Sequence, residues 1–192
     1  MDQNQKIFVN RSINLSQIKS VGFDMDHTLA RYNRVAFETL AFEQTVKKMV
    51  EAGYPKQLLN LKFRPEFLIR GLLVDVERGN VLKVDGHKYV KHAFHGTRRL
   101  PKEQRHRLYN RNVFNAHEFV SVDTLFSLSE IQLFVEIVDF ISDNPDVITK
   151  PFQEIYRDLR YFINLSHRDG TIKQKVLSEP EVYIDLDPFL HQ

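Results

Sequence analysis

Apolar and polar positions recur along this chain at two periods, which divide it into helical and extended stretches. From about residue 35 to 52 the spacing is helical. Phe37, Leu40, Ala41, Thr45 and Met49 fall near one stripe, and Gly53 marks the stop. Upstream, Ser20-Val21-Gly22-Phe23-Asp24-Met25 reads as a short buried strand that ends in acidic residues, and Ile7-Phe8-Val9 as a short strand or an N-terminal arm. Tyr54-Pro55 follows the first helix, with Pro55 placed to open a helical turn.

The middle of the chain changes period. Residues 71–76 and 81–85 flank Glu77-Arg78-Gly79-Asn80 and predict a hairpin, which a third strand near residues 87–93 extends into a small meander. Pro101 opens a charged helix to about Tyr109. Residues 130–142 read as a heavily apolar, buried helix ended by Asp143-Asn144-Pro145. Pro151 opens a last long helix, with Phe152, Ile155, Leu159, Phe162 and Ile163 on one side and Gly170 as its stop.

Composition narrows the class. The 192 residues are 42% hydrophobic and 27% charged, with 15 Phe and 7 Tyr, which suits a folded chain with a sizeable core rather than a disordered one. There is no Cys, so disulfides, thiolate zinc sites and cysteine nucleophiles are excluded, and a reducing, cytoplasmic setting is expected. No apolar run approaches the roughly 20 residues of a membrane span. The formal net charge of +2 is near neutral for this length and predicts neither a nucleic-acid nor a membrane partner.

The chemistry concentrates in Val21-Gly22-Phe23-Asp24-Met25-Asp26-His27-Thr28-Leu29-Ala30. Two carboxylates at i and i+2 leave a strand end on the same side. Asp24 is then placed to attack phosphorus as a nucleophile, and Asp26 to act as general acid and afterwards as general base. Two such carboxylates beside a phosphate repel one another, so a divalent cation is expected, and magnesium suits an all-oxygen site. Thr28 adds a hydroxyl and a loop amide nearby. An isolated Asp-x-Asp-x-Thr also occurs in turns and calcium loops; the apolar run before it and the helix after it favour the catalytic reading.

This segment resembles the first motif of the haloacid dehalogenase superfamily. Gly53-Tyr54-Pro55, Arg70-Gly71-Leu72, Gly79-Asn80-Val81-Leu82-Lys83, His95-Gly96, Asp123-Thr124-Leu125-Phe126-Ser127-Leu128 and His167-Arg168-Asp169-Gly170-Thr171-Ile172-Lys173 follow it in order. The series resembles the N-terminal portion of the cytosolic purine 5′-nucleotidase family. The resemblance implies a Rossmann-like α/β core with a mixed α+β cap, magnesium, and hydrolysis of purine nucleoside 5′-monophosphates such as IMP and GMP. It matches Asp24 to the nucleophile and Asp26 to the acid/base, with the Asp24 carboxylate and the Asp26 main-chain carbonyl as magnesium ligands.

Arg160, Asn164, His167 and Arg168 recur at i, i+4, i+7 and i+8 and share a helix face, with Lys173 just after the Gly170 turn. Spacing alone reads as a solvated face. The resemblance places Arg160, Asn164, His167 and Lys173 at nucleotide-binding positions, with Asn164 standing where the family usually has Asp. Arg98, Arg99, Lys102, Arg105, Arg107 and Arg111, with Tyr109 among them, read as a solvated helix rather than a nucleic-acid patch. Asp143 with Asp146, and Asp185 with Asp187, each lie beside a Pro and read as turn chemistry.

The resemblance further implies a phosphate-binding Ser or Thr, a charge-neutralising Lys and an acidic pair after the cap, and none stands in a convincing strand-end context here. The expected organisation is therefore residues 1–56 as the N-terminal part of a catalytic core, 57–175 as a cap and 176–192 as the start of the return to the core. Such a chain is expected to be nearly inactive by itself, and open sheet edges make homo-oligomers an expectation. The alternatives are a general phosphatase or phosphotransferase of the same superfamily, or a non-catalytic binding fragment.

Overall fold

The computed structural model describes residues 14–25, 28–110, 119–124 and 127–185. Its architecture is mixed α/β. Helix α1 (Arg34–Glu51) precedes strands β1 (Leu72–Asp75), β2 (Asn80–Val84), β3 (Val90–His95) and β4 (Arg98–Arg99). Helix α2 (Lys102–Leu108) and strand β5 (Val120–Val122) follow, and then helices α3 (Ser127–Asp143), α4 (Phe152–Arg168), α5 (Thr171–Ser178) and α6 (Pro180–Tyr183). Lys56–Asn60 forms the turn expected after Pro55, as a 3-10 helix.

The five strands make one antiparallel sheet in the order β4-β3-β2-β1-β5. Register assigns the two faces. Val74 pairs with Val81 and Leu73 with Leu82, so alternate side chains leave on opposite sides. Val74, Val81 and Val122 join Phe42, Val46 and Met49 of α1, Ile131, Phe134 and Ile137 of α3, and Ile155 and Leu159 of α4 in the main core. Leu82 and Ala93 face the other way, against Leu73, Val84, Leu100 and Tyr109. Each fully buried Val, Ile, Leu, Met or Phe in these layers contributes about 1.5–3 kcal/mol of transfer free energy.

Local chemistry explains the helix ends. Asn33 caps α1, its Oδ1 accepting from Ala36 N–H at 3.3 Å. Within α1, Glu38 is 3% exposed and accepts from Ser129 N–H, in the first turn of α3, at 3.1 Å. Burial pushes its carboxyl above the ordinary range, against the pull of that bond and of Arg34. The hairpin turn at Gly79 has a positive φ of 68°, and a Cβ there would lie 3.0 Å from Val138 Cγ2 and 3.2 Å from Phe152 Cδ2. A glycine lets the β1–β2 turn press against α3 and α4.

One expectation is corrected. Residues 18–24, which include most of the run read as the strand before Asp24, form no strand. An apolar run becomes a strand only when a neighbour takes its backbone N–H and C=O groups, and none of the described residues pairs with it. Val21, Phe23 and Met25 are accordingly 70%, 71% and 59% exposed. A parallel, Rossmann-like sheet is likewise absent from the described residues.

Candidate functional site

Asp24 is exposed, and among the described residues its carboxylate accepts one hydrogen bond, from Met25 N–H to Oδ1 at 2.9 Å. The chain then turns tightly. The Met25 carbonyl accepts from the N–H groups of Leu29 and Ala30 at 3.0 and 2.8 Å, and more weakly from Thr28 at 3.4 Å. Thr28 is exposed beside this turn. Asp26 and His27 lie outside the described residues.

A magnesium ion requires several hard oxygen donors. The described residues supply Asp24, which fits in kind, but they gather no cluster of three acidic or His side chains. One carboxylate does not amount to a site.

The residues of the second constellation lie on α4 and α5. Arg160, Asn164, His167 and Arg168 are exposed on α4, and Lys173 is exposed on α5. Arg160 is partly committed elsewhere, because its Nε lies 3.6 Å from Glu130 Oε1 on α3, which also accepts from the Tyr156 hydroxyl. His167 lies 6.4 Å from the Phe37 ring on α1, and partial desolvation of its imidazole holds it below its ordinary value. No hydrogen bond or ion pair among the described residues links Asp24 to this stripe.

Other candidates resolve into structural roles. Asp143 pairs with Arg98. Asp185 lies 3.6 Å from Arg31, where a bridge between Tyr32 and Ile184 brings the segment before α1 beside the end of α6. Asp187 lies outside the described residues. His95 belongs to a part-buried polar chain that sequence reasoning missed. The Tyr109 hydroxyl donates to Asp75 Oδ2 at 2.8 Å and accepts from Asn80 Nδ2 at 2.7 Å. Asn80 Oδ1 meets His95 Nδ1 at 2.9 Å, and His95 Nε2 faces Ser142 Oγ at 3.3 Å. Burial lifts the Tyr109 hydroxyl far above its usual range, so it stays protonated as a donor.

These blocks can be set beside known proteins. The 5′ nucleotidase family profile matches residues 7–192. The chain is 28% identical over 193 residues to a 5′-nucleotidase domain-containing protein of Dictyostelium discoideum, covering 97% of this chain and 32% of that protein. It is 29% identical over 187 residues to 5′-nucleotidase domain-containing protein 1 of Homo sapiens, covering 89% of this chain and 40% of that protein. The chain thus spans about a third to two fifths of the curated relatives it matches. With the profile running over almost the whole length and through the Asp24 segment, the chain belongs to the 5′ nucleotidase family.

Proposed function

We propose that the full-length protein hydrolyses purine nucleoside 5′-monophosphates through an aspartyl-phosphate on Asp24, with magnesium as cofactor. The observation that carries this reading is the family match through residues 7–192, which includes Asp24-Met25-Asp26-His27-Thr28. An Asp24 carboxylate oxygen attacks phosphorus, and the P–O bond to the 5′ oxygen breaks. Asp26 gives that oxygen its proton, so the nucleoside leaves neutral. Asp26 then takes a proton from water, the water attacks phosphorus, and inorganic phosphate leaves with Asp24 restored. Magnesium, when bound, offsets the repulsion between carboxylate and phosphate. The Arg160–Lys173 stripe supplies positive charge and hydrogen bonds for the nucleotide. The family match also supports a general phosphatase reading, which the substrate panel below separates.

The 192 residues alone should turn over little. Electrostatic stabilisation of the transition state is usually the largest catalytic contribution, and losing one donor costs about a hundred- to a thousandfold. Among the described residues, no cation bonds or pairs with Asp24. The test is phosphate release by the full-length protein from IMP and GMP against sugar phosphates, with Asp24→Asn as the near-isosteric control. Asp24→Asn should lower the rate by at least about a thousandfold. Retention of most of the rate defeats the nucleophile assignment; equal rates on nucleotides and sugar phosphates defeat the substrate assignment.

A further inference from the structure

We infer that the β3–β4 edge of the sheet, the β2–β3 hairpin tip and α2 together form a binding surface for single-stranded nucleic acid. The near-neutral total charge conceals a strong segregation. Residues 83–110 carry eight Lys and Arg against two Asp and Glu, a net of +6, whereas the rest of the chain carries 19 against 23 and is net −4. Half of the eight histidines, His87, His92, His95 and His106, fall in the same segment.

The fold gathers these charges. Phe94 pairs with Arg99 and His95 with Arg98 across β3 and β4, at the edge of the sheet. The Arg105 guanidinium donates to the Lys91 carbonyl, which draws α2 against β3. Part of the charge is neutralised: Lys91 lies 3.0 Å from Asp85, and Arg98 pairs with Asp143. Lys83, Lys88, Arg99, Lys102 and Arg107 are exposed and meet no carboxylate among the described residues. These five cations, of which Arg99 also donates to His92 Nδ1 at 3.0 Å, stand on β2, the hairpin tip, β4 and α2 and suit a chain of phosphates better than a single anion.

The hairpin tip favours nucleic acid over an acidic peptide. Asp85 Oδ1 accepts from the N–H groups of His87 and Tyr89 at 2.9 and 3.0 Å, which fixes the turn. Lys88 sits there at a positive φ of 64°, and the Tyr89 side chain is 55% exposed. Between the tip and α2 lies a cleft of about 400 Å³ lined by Tyr89, Val90, Lys91, Arg105, His106 and Tyr109. An exposed ring beside a cationic cleft stacks an unpaired base and gains nothing from a carboxylate side chain. A duplex keeps its base faces covered, and the seven-residue α2 is short for a groove reader.

The experiment is fluorescence anisotropy of the 192-residue chain with labelled oligo(U) and oligo(dT) of about 12 nucleotides. Between about 50 and 200 mM salt, five phosphate contacts should weaken binding about a hundredfold. Tyr89→Ala should weaken it about five- to a hundredfold through the loss of one stacked base. The combined Arg99→Glu, Lys102→Glu and Arg107→Glu variant should weaken it at least about tenfold. Preference for oligo(U) assigns contacts to the 2′-hydroxyl, and equal affinity assigns recognition to phosphates and stacking; either supports the inference. Circular dichroism checks folding, and if the triple variant does not fold, Tyr89→Ala decides. Absence of binding at the lower salt overturns the inference, as does binding that ignores Tyr89→Ala or is matched by poly-glutamate.

Discussion

The Asp139 carboxylate occupies the space that a Cβ on Gly96 would fill, and both its oxygens accept from Thr97 N–H, at 3.1 and 3.0 Å. The β3–β4 turn is thereby clamped onto α3, and Gly96 holds a φ of +56° that suits glycine. Gly96→Ala should cost about 2–4 kcal/mol, from left-handed strain and from overpacking against Asp139. Thermal unfolding measures this. Asp139→Ala in the same chain should recover part of the loss, because the steric component depends on the carboxylate. Equal effects of Gly96→Ala with and without Asp139 would show that no clash exists.

Lys48 and Asp169 tie α1 to the α4–α5 junction, with Nζ 2.6 Å from Oδ2. Asp169 Oδ1 also accepts from Thr171 N–H and hydroxyl at 2.9 and 2.7 Å. The bond from Lys48, then those from Thr171, hold the Asp169 carboxyl well below its ordinary value of 3.8. A depressed carboxylate contributes stability above its unfolded pKa and loses it as pH falls through the folded value. His167, depressed by partial desolvation, acts in the same direction below its ordinary 6.5. The unfolding midpoint should therefore fall on acidification, and Asp169→Asn should flatten the decline below about pH 4. An unchanged acid limb in Asp169→Asn would assign the decline to other groups.

Arg160 and Lys173 separate stability from binding. Arg160 is held by Glu130, so Arg160→Ala should lower stability by up to about 1 kcal/mol as well as weakening substrate binding. Lys173 is exposed, with no ion pair among the described residues. In the full-length protein, Lys173→Ala should raise KM for IMP about tenfold without moving the unfolding midpoint. A KM unchanged by both variants would reduce the stripe to a solvated face.

Long local patterns were legible in the sequence, whereas long-range pairings were not. The stripe through Phe37, Leu40, Ala41, Thr45 and Met49 placed α1 within a residue of Arg34–Glu51, and Pro151 and Gly170 bracket α4. The β1–β2 hairpin is also local and was readable. The two-residue β4 and three-residue β5 were not, because β5 exists by pairing Val122 with Leu72. The run before Asp24 shows the converse. Its apolar pattern is strand-like, but no strand among the described residues pairs with it, and Val21, Phe23 and Met25 are exposed. The Asp24-x-Asp26-x-Thr28 motif could be singled out because its residues are contiguous.

The Asp75–Tyr109–Asn80–His95 chain could not be read, because its members lie on β1, β2, β3 and the end of α2 and meet only in the folded sheet. Its cost of failure is nonetheless calculable. Asp75 and Asn80 are each 2% exposed, so neither can turn to water when a partner is lost. Asp75 keeps Arg78, whose N–H and guanidinium both donate to it at 3.1 Å, and Asn80 keeps His95. Tyr109→Phe removes one donor to Asp75 and the acceptor of Asn80 Nδ2 while filling nearly the same volume. The expected loss is about 2–4 kcal/mol, at the upper end if the Asp75 charge governs. Tyr109→Phe in an Asn80→Ala background should cost less, since one of the two orphaned groups is gone. Chemical denaturation of the three variants measures both terms, and a Tyr109→Phe loss below about 0.5 kcal/mol would mean that water reaches these groups.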